Sequence, residues 1–153
     1  YSFLADDISV IDNSLHVIPG FPNLKIWKDI AQKLEIESEN LEEIRKSIKK
    51  YHFPAKDSFF NEALLVKNIF IISSKNSPGY EYEELKGLAK FNAVKNNTYR
   101  YRFVGGLEKM QEHFHILNKL LPNIKVYRIL RPQSPVDLEG FAKFLIETFA
   151  LNE

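Results

Sequence analysis

The feature that most constrains this chain is a short apolar run that ends in two adjacent aspartates, Asp6 and Asp7. The run, residues 1–5, predicts a short, largely buried strand that delivers both carboxylates to a sheet edge or a crevice. Successive strand residues point to opposite faces of a sheet, so we expect the two carboxylates to take different roles. In P-loop NTPases, an Asp of this kind holds Mg²⁺. The competing interpretation is a turn, because Asp favours turns and bonds its own backbone there.

Composition narrows the class of protein. A chain of 153 residues suits one domain with a real core, and we predict a single domain over residues 1–153. An apolar content of 44% with 27% charged residues indicates a globular protein, and a net charge of +1 argues against a dedicated nucleic-acid binder. Cysteine is absent, which excludes disulfide and thiolate chemistry and fits a cytoplasmic location. No apolar run approaches the roughly 20 residues of a spanning helix, so we expect no membrane partner.

Positive charge is concentrated in one part of the chain. Between Lys95 and Arg131, eight Lys or Arg residues stand against two acidic residues, Glu108 and Glu112. Such a segment suits phosphate or an acidic partner. For any single residue of the segment, a solvated face is the simpler interpretation.

Residue periodicity predicts an α/β fold with a mixed sheet and about five flanking helices. Strands are predicted near residues 1–5, 8–11, 15–18, 63–73 and 124–130, with a β-hairpin through the turn at Asp12–Ser14. Helices are predicted over residues 24–34, from an N-cap at Ser38 to residue 49, and over 83–94, 107–121 and 137–151. Residues 99–103 fit either a strand or a short helix. Trp27 is expected to be a core anchor of the first helix.

Five pieces of the sequence, in this order, carry a family resemblance. They are Leu4–Ile8, Val17–Pro22, Leu24–Trp27, Asn97–Arg100 and Val126–Pro132. They resemble the HPr kinase-like family of serine kinases, and the similarity extends over most of the chain. Those proteins are similar in fold to ATP-dependent phosphoenolpyruvate carboxykinase, so the resemblance implies a P-loop kinase fold.

The resemblance also implies an activity. The expected reaction is ATP-dependent phosphorylation of a Ser hydroxyl on a protein, peptide or small molecule, with Mg²⁺ and ATP as cofactors. Asp6 or Asp7 would align or deprotonate the hydroxyl, and the other would help to hold Mg²⁺, with Asp7 as the metal candidate. Lys50 matches a Lys that recurs in the family and is a candidate phosphate ligand. A homo-oligomer is compatible with these expectations.

One expected part of a kinase is missing from the sequence. Members of the family carry a Walker A loop, G-x-x-x-x-G-K-[ST], upstream of the Ala-Asp-Asp strand, where backbone amides cradle phosphates. None of the six glycines here is followed by Lys and then Ser or Thr. We therefore expect the chain to be the carboxy-terminal part of an HPr kinase-like catalytic domain, inactive alone. The alternative is a non-catalytic binding module of the same fold that engages a partner through the basic Lys95–Arg131 region.

The late strand carries two arginines that we expect to differ in role. Arg128 and Arg131 are three residues apart, so on an extended strand they face opposite sides of the sheet. Arg131 lies at the carboxyl end of the strand, where open α/β sheets place their ligand crevices, and is a candidate phosphate ligand. Arg128 is expected to bury its stem against a helix or to pair with a Glu.

Overall fold

The structure is a computed structural model that describes residues 1–37, 41–45 and 47–151. It groups into two compact units, Tyr1–Val66 and Lys67–Glu153, and each is described by itself. The single domain predicted from the sequence stays a prediction. Across the described residues, the chain is mixed α/β, with three small sheets and five α-helices. This confirms the coarser part of the predicted fold class.

The first unit contains the predicted hairpin. Strand β1 (Val10–Ile11) pairs antiparallel with β2 (His16–Ile18), and β6 (Leu64–Leu65) pairs with the other edge of β2. The turn is stabilised by the carboxylate of Asp12, which accepts hydrogen bonds from the backbone N–H groups of Ser14 and His16 at 2.8 and 2.9 Å. This is the local side-chain-to-backbone bonding that makes Asp a turn residue.

The prediction of a largely buried strand over residues 1–5 is wrong. Phe3 forms one parallel bridge with Phe59, and the flanking Tyr1 is 84% exposed. The bridge is held by two backbone hydrogen bonds of 2.9 Å, from Phe3 to Ser58 and from Phe60 to Phe3. The chain has no further ladder partner there among the described residues, so an apolar run becomes a single bridge followed by a bend.

A second sheet of the first unit replaces two predicted helices. Strand β5 (Ile48–Pro54) lies between β3 (Asn23–Trp27) and β4 (Glu43–Arg45), antiparallel to both, and helix α1 (Lys28–Lys33) follows β3. The helix predicted over residues 24–34 is therefore wrong in its first half. The helix predicted up to residue 49 is wrong where the structure describes it, and its N-cap at Ser38 lies outside the described residues. Five consecutive residue pairs between β3 and β5 provide the backbone hydrogen bonds that a helix would have formed within itself.

The second unit is built around one mixed sheet. Strand β9 (Lys125–Pro132) is central, parallel to β7 (Asn68–Lys75) and antiparallel to β8 (Glu81–Glu84). The mixed pairing confirms the predicted type of sheet. The single strand predicted over residues 63–73 is wrong, because the chain divides there into β6 and β7, which belong to different sheets. β8 lies at an edge, and all four of its residues are exposed.

Four helices accompany this sheet: α2 (Gly87–Asn96), α3 (Tyr101–Gly106), α4 (Met110–Leu120) and α5 (Leu138–Phe149). The predictions of helices near α4 and α5 are confirmed, and residues 99–103 lead into the short helix α3. The helix predicted over 83–94 begins later, at Gly87, because β8 occupies the preceding residues. α5 packs its aromatic side on the sheet, with the ring of Phe149 4.7 Å from Tyr127 and 4.8 Å from Phe70. No helix of the described residues has the length and apolar character needed to cross a membrane.

The core of the second unit centres on β9. Val126 and Ile129 of this strand are fully buried. Ile72 of the edge strand β7 stands directly opposite Ile129 in the ladder, yet it is 49% exposed. Two isoleucines in neighbouring positions of one sheet therefore differ sharply in burial.

We expect Ile129→Ala to lower the free energy of unfolding by about 2–5 kcal/mol, the usual cost of truncating a buried Ile. Ile72→Ala is the matched control and should cost clearly less, because half of that side chain already contacts water. Urea unfolding followed by far-UV circular dichroism measures both. Equal losses in the two variants would show that burial at β9 does not control the stability of the unit.

Candidate functional site

The two aspartates lie in a bend between the Phe3 bridge and β1. The carboxylate of Asp6 accepts a hydrogen bond from the backbone N–H of Lys25 at 2.9 Å. The Asp7 carboxylate accepts a 2.7 Å hydrogen bond from the ammonium group of the same lysine. One residue of β3 thus binds both members of the pair, through its backbone and its side chain respectively.

The loop at residues 19–22 is fastened to the same segment. The backbone N–H of Gly20 donates to the carbonyl oxygen of Leu4 at 2.7 Å. A Cβ atom at position 20 would lie in van der Waals contact with the Cβ of Ala5, at 3.5 Å, so the loop passes directly beside the segment before the aspartates. Three separate stretches of the sequence therefore meet at one place: Leu4–Ile8, Val17–Pro22 and Leu24–Trp27.

Lys50 adds a second positive charge to the site. Its ammonium nitrogen lies 3.9 Å from the other oxygen of Asp7 and 5.4 Å from the centre of the Trp27 ring. The pairing of β3 with β5 explains this, because Trp27 stands opposite Lys50 and Lys25 stands opposite His52. Partners in a ladder share a face, so this side of the sheet carries two lysines, a histidine and a tryptophan. The sequence placed Lys50 at a helix end; it lies within a strand.

The environment of Asp7 keeps it ionised. The hydrogen bond from Lys25 lowers the pKa of this carboxyl, and the positive charges of Lys50 and Lys25 act in the same direction. Partial burial opposes them and raises the pKa, but the net direction is downward. The side chain remains 48% exposed, so a ligand from solvent can reach it.

An open cleft of about 470 Å³ lies over the pair. Its polar lining includes Asp6, Asp7, Lys25 and His52, and its apolar lining includes Val10 and Phe21. Phe21 is 81% exposed. The cleft combines fixed charges of both signs with an accessible apolar wall, which is the mixed lining of ligand sites.

The donor set does not fit a Mg²⁺ ion at Asp7 in this arrangement. Both oxygens of Asp7 face ammonium groups, at 2.7 and 3.9 Å, and a divalent cation there would be repelled by two nearby positive charges. Within the described ranges, no group of three or more His, Cys, Asp or Glu side chains is placed to hold a metal ion. The assignment of Mg²⁺ to Asp7 stays a prediction.

Arg131, the other predicted phosphate ligand, belongs to the second unit. It lies at the carboxyl end of β9, and its guanidinium donates to the carbonyl oxygen of Pro132 at 3.0 Å. Arg128 of the same strand forms an ion pair with Glu83, its ladder partner on β8. The expectation that Arg128 pairs with a Glu is confirmed.

Several charges of the basic Lys95–Arg131 region are engaged within the second unit. Lys109 pairs with Glu112 at 2.6 Å, and Lys95 lies over the ring of Tyr101 at 5.8 Å. Arg100 lies over the rings of Tyr99 and Phe103, both more than half exposed. The role of this region in binding a partner stays a prediction.

Sequence reasoning missed the contributions of Lys25, His52 and Trp27 to this cleft and its surroundings. Trp27 was expected in the core, and this is wrong, since the side chain is 52% exposed. The signal was present in Asn23–Trp27, where polar Asn23 and Lys25 alternate with apolar Leu24 and Ile26, which is typical of a half-buried strand. The residues that follow have helical spacing, which favours a helix over the whole stretch.

No family model, curated protein or solved structure matches this chain. The resemblance to the HPr kinase-like family therefore stays a prediction from the sequence.

The geometry at Asp7 generates a direct test. Replacing Lys25 by Met removes the 2.7 Å hydrogen bond, so the pKa of Asp7 should rise towards its ordinary value. Lys50→Met should produce a smaller rise, because Lys50 acts from 3.9 Å without a hydrogen bond. NMR titration of the side-chain carboxyl carbon of Asp7 measures both changes.

Lys75→Met is the control for this titration, because Lys75 pairs with Glu81 in the second unit. It should leave the titration of Asp7 unchanged. The stabilising contribution of an Asp with a lowered pKa is present above its unfolded pKa and is lost as pH falls through the folded pKa. A Lys25→Met variant whose Asp7 titrates as in the parent protein would contradict the described arrangement.

Proposed function

We propose that this chain supplies the acceptor-side carboxylates and neighbouring lysines of an ATP-dependent serine kinase of the HPr kinase-like type. The observation that carries the proposal is the convergence of three motif stretches around one cleft. Leu4–Ile8 provides the aspartates, Val17–Pro22 provides Gly20 and Phe21, and Leu24–Trp27 provides Lys25. The P-loop kinase fold, Mg²⁺ and ATP enter the proposal as what the resemblance implies.

In this proposal Asp7 orients the acceptor hydroxyl. A carboxylate with a lowered pKa is ionised at neutral pH and can accept a hydrogen bond from a serine O–H group. Because a carboxylate with a lowered pKa is a weak base, Asp7 would contribute more by aligning the hydroxyl than by removing its proton. Phosphoryl transfer depends mainly on positioning and on neutralising charge, so an aligning carboxylate suits the reaction.

Lys25 and Lys50 supply the positive charge in the proposed site. Their ammonium groups lie 2.7 and 3.9 Å from the two oxygens of Asp7, close to where a phosphoryl group would approach a hydroxyl bound there. Lysine acts as a compact point charge towards phosphate. Asp6 is fixed by the backbone of β3 and would position the segment on which Asp7 lies.

The cleft supports a peptide or protein as the acceptor over a very small molecule. Phe21 and Val10 form an exposed apolar wall beside Asp7. Such a wall would contact a side chain next to the serine that receives the phosphoryl group.

The first test uses this chain alone. Because no glycine begins a Walker A Lys-Ser or Lys-Thr sequence, the chain should bind Mg·ATP weakly or not at all. Isothermal titration calorimetry measures this directly. A tight, metal-dependent isotherm would show that the phosphate site is complete without such a loop. The proposal that this chain supplies only the acceptor side of the site would then be wrong.

The second test addresses catalysis in a protein that carries this chain behind a Walker A loop. Asp7→Asn should lower ATP-dependent transfer to serine by about 10²–10⁴-fold, the usual range for loss of a positioned acid–base group. Asp57→Asn, at an exposed position of the same unit, is the matched control and should retain the parental rate. Transfer of radiolabelled γ-phosphate, with folding checked by circular dichroism, is the measurement. Equal rates in the two variants, or no transfer by the parent protein, would refute the proposal.

A further inference from the structure

A second pocket, of about 320 Å³, lies within the second unit. It is at the carboxyl ends of the parallel strands β7 and β9, where open α/β sheets bind ligands. Its polar lining comes from Ser77, Tyr80, Arg131, Ser134 and Asp137, and three prolines complete the wall.

Arg131 differs from its neighbour Arg128 in having no carboxylate partner. Among the residues that the structure describes, no Asp or Glu oxygen lies within 4.0 Å of its guanidinium, and its one hydrogen bond is to the adjacent carbonyl of Pro132. The side chain is nevertheless only partly exposed. Withdrawing a charge from water costs free energy unless the charge is paired, so the pocket favours an anion at Arg131.

Tyr80 and Asp137 give the other side of the pocket a defined chemistry. The ring of Tyr80 stacks on Phe144 at 4.9 Å, which fixes its phenol beside Asp137. Burial raises the pKa of Tyr80, the negative charge of Asp137 and the hydrogen bond from the phenol to that carboxylate raise it further, and the charge of Arg131 opposes them. The phenol therefore stays protonated and donates to Asp137. Asp137 presents a negative charge to the same pocket.

A purely structural explanation accounts for only part of this group. Asp137 caps α5, since its carboxylate accepts the backbone N–H of Gly140 at 2.8 Å, and Tyr80 packs on the aromatic side of that helix. Neither role involves the guanidinium of Arg131, and neither requires a positive charge beside Tyr80 and Asp137.

We propose that this pocket binds a small ligand that carries a phosphate or carboxylate group, placed at Arg131, and a hydroxyl or ammonium donor, placed at Asp137. The Arg131 fork and the hydroxyl of Ser134 provide donors for the anionic group, while the hydroxyl of Ser77 donates to Glu81 at 3.1 Å. This proposal does not depend on the kinase function, because every residue that it uses lies in the second unit.

The test titrates the whole chain with three probes: inorganic phosphate, L-serine and O-phospho-L-serine. Amide NMR shifts of Ser77 and Ser134 report occupancy of the pocket. O-phospho-L-serine should bind more tightly than phosphate, because its ammonium group also meets Asp137. If inorganic phosphate binds and L-serine does not, the site takes a phosphate group. If L-serine binds and inorganic phosphate does not, the site takes a carboxylate group.

Arg131→Gln should weaken binding of the preferred probe by at least about tenfold, as expected for loss of a charged hydrogen bond. Arg128→Gln is the matched control on the same strand and should leave the affinity unchanged, although it removes the ion pair with Glu83. If Arg131→Gln does not fold, Arg131→Lys keeps the charge, lacks the fork and should still weaken binding.

Asp137→Asn separates ligand binding from helix capping. Asn also caps helices, so α5 should persist while the negative charge is lost. The preference for O-phospho-L-serine over phosphate should then disappear. Absence of binding by all three probes, or equal loss in the Arg128 and Arg131 variants, would overturn the proposal.

Discussion

The second unit depends on the pairing of β9 along both of its edges. This strand bonds to β7 on one side and to β8 on the other, and it carries the two fully buried side chains of the unit, Val126 and Ile129. The same pairing determines which of its arginines meets a carboxylate. Arg128 faces a glutamate across the β8 ladder, whereas Arg131 lies near the end of the strand, beyond the paired residues of β8, with no carboxylate partner among the described residues. A difference in binding chemistry between two identical residues thus follows from strand register.

In the first unit, Lys25 has the corresponding importance for the aspartate pair. Its backbone N–H binds Asp6 and its ammonium binds Asp7, so a regular strand holds two residues of an irregular bend. Without these bonds the bend, which lies outside any strand ladder, would sample many conformations. A ligand that ordered it would then meet an entropic cost of about 1–2 kcal/mol per residue. Prior ordering by Lys25 reduces that cost and gives the cleft a defined charge pattern before any ligand binds.

Local pattern predicted the second unit better than the first. The spacing of apolar residues in α4 and α5, and the apolar residues of β9, agree with their tertiary environment. The segment around Ile44 and Ile48 has helical spacing, yet it forms β4 and β5, which pair with each other. The later residues of β5 also pair with β3, and such pairing between distant segments is invisible in a single sequence. The polar pair Lys67 and Asn68 stands where the chain passes from β6 to β7, but two polar residues inside a β-branched stretch do not by themselves indicate that the strands on either side belong to different sheets. The aspartate pair was found through the motif, but its partner Lys25 was not, because recognising it required β3 to be a strand.

The exposed edge strand β8 has a consequence for how copies of this protein behave at high concentration. An open edge offers unpaired backbone groups to any other strand, which is a common route to aggregation. Here the edge carries Glu81, Glu83 and Glu84 in a run of four exposed residues. Two copies aligned along this edge would bring carboxylates together, and the repulsion between them would oppose the formation of a continuous sheet across molecules.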